Sequence, residues 1–137
     1  MIVLDTSFLL GLVNQQDVHH EAARRLQSEL RSGRWGQGAL LEYVMVELMN
    51  MMVKRRGAEH AARTGRYLLG SDLHFVACSP LFGSAFVACC AQSGTRAGLV
   101  DMAIATYARA HADGQVATFD RELARLPGII AVPAEGA

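Results

Sequence analysis

Met1-Ile2-Val3-Leu4-Asp5-Thr6-Ser7 carries the strongest fold signal in the chain. Ile2, Val3 and Leu4 form an unbroken apolar run, β-branched at Ile2 and Val3, and such a run predicts a short strand over residues 2–5, buried on both faces. Asp5 ends the run with a charge, and residues 7–13 predict a short helix.

The same alternation recurs outward from this segment. Asp17 precedes HHEAARRLQSELR, where Ala22, Ala23, Leu26 and Leu30 fall at helical spacing and Gly33 is placed to stop the helix. Residues 35–40 are broken by glycine and leave strand and loop both open. Residues 41–56 predict a long helix ended by Gly57, and residues 58–69 a second ended by Gly70. A strand over 73–78 follows, then a helix from Pro80 to about Ser93 and another over 100–112, closed by the turn Asp113-Gly114. Residues 115–119 predict a strand, 121–126 a short helix and 129–132 a last strand.

Strands alternating with helices predict an α/β fold of parallel β-α-β units with right-handed crossovers. No internal repeat, low-complexity tract or Pro/Ser-rich linker divides the chain, so residues 1–137 are expected to form a single domain. In such sheets ligands gather beyond the carboxyl ends of the strands, where Asp5 and Asp120 both stand.

A hydrophobic content of 51% with 19% charged residues, in 137 residues, predicts a compact globule with a core that needs no disulfides. The start MIVLD lacks the basic region and cleavage site of a signal peptide, and even the apolar stretch 40–53 carries Glu42, Glu47 and Asn50. The expectation is a soluble, cytoplasmic protein. Cys78, Cys89 and Cys90 have no CxxC spacing and lie in apolar surroundings, so they are expected to be buried free thiols.

The formal net charge is +0, which excludes a global electrostatic signature of nucleic-acid binding. Of the 13 basic residues only Lys54 is a lysine. Arginine's planar fork suits bidentate phosphate contact, and a GC-rich genome gives the same bias. The clusters Arg24-Arg25 and Lys54-Arg55-Arg56 read as solvated helix faces. His19, His20, His60, His74 and His111 are scattered without a metal-ligand spacing and read as surface or packing residues.

Four carboxylates carry the chemistry. Asp5 and Asp120 end strands, Asp101 opens the helical segment DMAIATYARA, and Glu47 falls on the apolar face of its helix with Tyr43, Val44, Leu48 and Met51. Each has a bland reading. Glu47 can pair with Arg96 or Arg121, Asp101 and Asp120 can cap helices, and Asp5 with Thr6-Ser7 can be a strand-end turn. All four together point instead to one rim. Clustered carboxylates raise each other's pKa unless a cation neutralises them, and oxygen-only ligands suit Mg²⁺ or Mn²⁺.

On the segments IVLDTSFLLGL, LLEYVMVELMNMM, LVDMAIATYARAHA and VATFDREL, with Asp17 and His19 ahead of EAARRL, the chain resembles the PIN domains. Within them it is similar to the VapC-like ribonuclease toxins of prokaryotic toxin–antitoxin pairs. The resemblance implies a three-layer α/β/α fold, a mostly parallel central sheet flanked by helices, with an acidic pocket for one or two Mg²⁺ or Mn²⁺ ions. It places catalytic and metal-binding roles on Asp5, Glu47, Asp101 and Asp120, and supporting hydroxyls on Thr6 or Thr118. Many relatives carry a Ser or Thr just before the equivalent of Asp101, where this chain has Gly98-Leu99-Val100.

The implied activity is hydrolysis of RNA phosphodiester bonds, leaving a 5′-phosphate and a 3′-hydroxyl. The implied partners are an RNA substrate, a cognate antitoxin and a second copy in a homodimer, with no membrane. Arg121, beside Asp120, is the RNA-contact candidate, its rival role an ion pair with Asp101 or Glu47. The Met-rich face of Leu48, Met49, Met51 and Met52 is either part of an antitoxin groove or ordinary core. The alternatives are a catalytically inactive PIN-like scaffold, or a PIN nuclease acting in RNA processing rather than as a toxin. A haloacid-type phosphotransferase needs a second Asp where this chain has Ser7, and a receiver domain needs a lysine near the end, where Lys54 does not lie.

Overall fold

Strand β1 (Ile2–Leu4) lies at the centre of a five-stranded parallel sheet of order β3-β2-β1-β4-β5. The computed structural model describes residues 1–92 and 94–134. The other strands are β2 (Gly38–Leu41), β3 (His74–Val76), β4 (Gln115–Ala117) and β5 (Ile130–Val132). The register pairs Val3 with both Ala39 and Val116, which makes β1 internal on both sides. Ile2, Val3, Leu4, Leu40, Leu41 and Val116 are therefore buried, as an unbroken apolar strand requires. Burying each such side chain contributes about 2 kcal/mol.

The helices are α1 (Thr6–Val13), α2 (His20–Arg31), α3 (Glu42–Arg56), α4 (Ala58–Leu69), α5 (Phe82–Ala91), α6 (Leu99–His111) and α7 (Arg121–Ala124). The chain steps outward from β1 to β2 to β3, then crosses back to β4 and on to β5. With right-handed crossovers, that reversal puts α1 to α4 on one face and the later helices on the other. The packing agrees: α1 meets α2 and α3, α3 meets α4, and α5 meets α6. The α3–α4 corner turns at Gly57, whose φ of 90° a side chain would strain.

Element ends differ from the sequence expectation where side chains take over backbone groups. The strand expected over 115–119 ends early: Thr118 still donates its amide to Val132 O, but the Phe119 amide donates to Ser7 Oγ instead of a neighbouring strand. The helix expected from Pro80 begins as a single 3₁₀ turn, Ser79–Leu81, and continues as α5 to Ala91, while Ser93 lies outside the described residues. The ambiguous stretch 35–40 resolves into β2, with Leu41 ending the strand and capping α3.

The thiols need correcting. Cys78 is buried, but Cys89 is half-buried and Cys90 exposed, because α5 presents one side to solvent. The Met-rich face is core rather than groove. Leu48 and Met52 are buried and Met49 and Met51 half-buried, and Gly65 of α4 sits so close that a Cβ there would be 3.0 Å from Met49 Sδ. Arg24, Arg25 and Lys54-Arg55-Arg56 are exposed, as solvated faces should be.

Candidate active site

The sheet order places β1 beside β4, and chain connections leave these two strands in opposite directions. That is the topological switch point, where crossovers diverge and open a crevice past the strand ends. Asp5 follows β1 there and Asp120 follows β4 three residues after Ala117. The Asp5 amide still donates to Ala117 O at 3.0 Å, so the two ends are tied together.

Among the described residues, the buried polar side chains are Asp5, Thr6 and Thr118, and all stand at this point. Asp5 has the backbone of a helix N-cap, yet its side chain makes no cap hydrogen bond to α1. Its Oδ2 accepts from Ser7 Oγ at 2.7 Å and from Thr118 Oγ1 at 2.7 Å. Each hydroxyl has one proton, spent on Asp5, so each has lone pairs left to accept. Ser7 Oγ accepts from the Phe119 amide at 2.9 Å and Thr118 Oγ1 from the Asp120 amide at 2.9 Å. Two hydroxyls thus carry one carboxylate oxygen to two consecutive amides and lock the loop after β4 onto β1. The 3.2 Å approach of Ser7 to Thr118 is then a contact without a shared proton.

Glu47 reaches the site from α3. It is half-buried rather than buried, and Thr6 Oγ1 donates to its Oε1 at 2.5 Å. Asp120 does cap α7, its Oδ1 accepting from the Glu122 amide at 2.9 Å, so the bland reading of this residue holds for one of its oxygens. Asp101 arrives from the opposite face on the first turn of α6. Its one cap bond, from the Gly98 amide to Oδ2, is long at 3.4 Å, and Gly98 has no side chain to return it. The Arg96 amide donates to Glu122 Oε2. Arg121 is exposed at the start of α7, next to Asp120.

The electrostatics show the acids gathered. Burial pushes the Asp101 carboxyl up to about 6, and the charges of Asp5, Asp120 and Glu47 push the same way. The Asp5 carboxyl is also raised, by burial first, against the lowering effect of the Ser7 and Thr118 hydroxyls. Four carboxylates from β1, α3, α6 and the β4 end therefore share one field. As they stand, no three His, Cys, Asp or Glu side chains among the described residues converge tightly enough to hold an ion. The fit to a divalent cation is chemical: the donors are all oxygen, and the mutual repulsion of carboxylates is what a hard cation relieves. A cleft of about 740 Å³ lies elsewhere, among α1, α2 and α4, lined by Phe8, Leu9, Leu12, Leu30 and Tyr67.

Ser7 is the residue that the sequence reading passed over. It is adjacent to Thr6 in the run Asp5-Thr6-Ser7, and a hydroxyl two residues after a strand-end acid on a helix's first turn is the signal that marks it.

The PIN domain family model matches residues 2–129. VapC20 of Mycobacterium tuberculosis, described as a sarcin-ricin loop cleaving toxin, shares the fold with a TM-score of 0.80 at 20% identity, over 90% of this chain and 93% of that one. VapBC2 of Rickettsia felis, solved bound to a DNA fragment from its promoter, gives a TM-score of 0.65 at 21% identity, over 96% of this chain and 97% of that one. None of the curated proteins compared with the chain matches it.

Proposed function

The chain belongs to the PIN domain family, and on that premise we propose that it is a Mg²⁺- or Mn²⁺-dependent endoribonuclease, the toxin of a toxin–antitoxin pair. The observation that supports this most is the confinement of buried polar side chains to the switch point, in a core otherwise apolar. An ordinary fold gains nothing from a buried carboxylate there, since desolvating it costs stability. The fold relationship to VapC20 and VapBC2 supports the same reading.

Asp5, Glu47, Asp101 and Asp120 are the residues that would hold the cation. When bound, a divalent ion supplies an activated water near neutral pH and stabilises charge on the departing 3′-oxygen. The protein's part is to position. Ser7 and Thr118 fix one oxygen of Asp5, and Thr6, on the first turn of α1, orients Glu47 of α3. Arg121 stands where a guanidinium meets RNA phosphate at the rim.

An antitoxin suits the apolar cleft among α1, α2 and α4, which Arg31 and Arg66 border with positive charge. A second copy suits the outer face of α5, whose sequence FGSAFVACCA has no charge to desolvate on self-association. No helix among the described residues is long and apolar enough to cross a membrane, and the proposed place of action is the cytoplasm.

The test is RNA cleavage by the purified protein in Mn²⁺ against its Asp5→Asn and Asp101→Asn variants. Cleavage lost in both, with folding retained, supports the assignment; variants that cut as well as the parent refute it.

A further inference from the structure

The loop before α2 stacks one aromatic ring on Phe119, beside the acidic rim. His19 is exposed, and its ring lies flat on that of Phe119, with centroids 4.3 Å apart and planes 3° from parallel. His19 is the N-cap residue of α2, but its side chain makes no cap bond, so the imidazole is not engaged in holding the helix. One ring face is covered by Phe119, and His19 as a whole is exposed.

The pair is built in rather than loosely draped. Phe119 sits between Thr118 and Asp120, and its amide donates to the same Ser7 Oγ that donates to Asp5. The ring stack is therefore two hydrogen bonds from the carboxylate at the centre of the site. Beneath it, a Cβ on Gly11 would lie 3.5 Å from both His19 Cβ and Phe119 Cε2, so the bare backbone lets both rings settle on α1. Asp17 Oδ1 accepts from the His19 amide at 2.8 Å, and His20 Nδ1 is 2.8 Å from Gly11 O, which pins the loop on either side of the ring.

We propose that the open face of His19 is a stacking platform for a nucleobase of the RNA strand that enters the acidic site. This rests on the nuclease reading and adds to it where one base of the substrate lies. A flat π surface held in advance takes a base with little further ordering, and stacking of this kind accepts any base. Purines, with the larger face, should bind more tightly than pyrimidines.

The experiment measures anisotropy of short fluorescein-labelled single-stranded RNAs, in the Asp5→Asn background so that cutting does not intervene. The probes are oligoadenylate, oligouridylate and an abasic chain of the same length. The parent should rank them in that order. His19→Ala should weaken oligoadenylate binding by about 5- to 150-fold and erase the ranking, while His19→Tyr restores it. Affinity for the abasic chain and the melting temperature should stay unchanged. Equal oligoadenylate affinity in His19→Ala and its background, a loss that extends equally to the abasic chain, or a failure of His19→Tyr to restore binding overturns the platform. Should the wild-type chain cut no RNA while the ranking persists, the nuclease reading fails and the platform stands. RNA cut by the wild type with no ranking keeps the nuclease and removes the platform.

Discussion

The acidic rim and the outer face of α5 break the usual division of inside and outside in opposite senses. At the rim, Asp5, Thr6 and Thr118 are no more than 5% exposed, polar groups in a place where apolar ones are the rule. On α5, Phe82, Phe86 and Val87 are 48%, 53% and 65% exposed, and the two phenylalanine rings stack on each other 5.9 Å apart in contact with water. At the rim, hydroxyls of Ser7, Thr118 and Thr6 hold Asp5 and Glu47, whereas the apolar side chains on the outer face of α5 lie open to solvent among the described residues. Buried polarity held that firmly suits the proposed chemistry, in which misplacing a carboxylate would cost rate. Exposed apolarity left open serves association, because only a partner removes it from water.

The largest effect should come from removing the charge at the rim. Asp5→Asn is expected to lower RNA cleavage by on the order of 10²–10³-fold, with a melting temperature equal to or above that of the parent, since burial disfavours the ionised acid. Activity from initial rates and stability from calorimetry check both halves, and a variant that unfolds would collapse the distinction between chemistry and scaffold. Next in size is the α5 face. Phe86→Asp should weaken self-association about 100-fold, read by sedimentation equilibrium, and leave the monomer folded. A parent that sediments as a monomer at high concentration removes the second copy from that surface.

Thr118→Ala sharpens the contrast from within the rim. It deletes the bridge between Asp5 and the Asp120 amide, and should cut the rate 10- to 100-fold, about what an orienting hydroxyl is worth around a metal site, with a stability loss of about 1–3 kcal/mol. Unchanged kinetics would make the hydroxyl a packing group. The smallest effect is on pH. The Asp101 carboxyl, near 6 when folded against 3.8 as a free side chain, binds its proton more tightly in the folded chain. Stability of the metal-free protein should therefore fall as pH rises from about 4 to about 6, by on the order of 1 kcal/mol after solvent screening. Mn²⁺ should abolish the fall. Melting curves across that range in chelator and in Mn²⁺ provide the measurement, and a flat chelator curve contradicts the shared field.

Much of the fold was legible in the chain. The buried strand 2–4 and the long helix ended by Gly57 follow from local pattern, because an apolar run and a positive-φ glycine act within a few residues. Glu47 was harder. Its helix looked apolar around it, yet Val46 and Val53 face solvent and Glu47 is only half-buried, because how far a helix sinks depends on what packs over it. The Met-rich face was undecidable for the same reason, since only the tertiary packing presses Gly65 of α4 against it. Ser7 escaped notice because a serine's role is set by what lies across from it, here Thr118 and Phe119.

Local sequence pattern marked every helix and every strand but β2, whose segment it left open, and it put each of four acids at an element end or on a helix. Those properties are local, governed by side-chain periodicity and backbone preference over short spans. Only the tertiary structure decided that β1 and β4 are neighbours, that one carboxylate oxygen is shared by two hydroxyls, and that an imidazole lies flat on Phe119 beside them. These depend on contacts between residues about a hundred positions apart, as between Asp5 and Thr118. No short-range propensity encodes such a contact; the order in which strands join the sheet does.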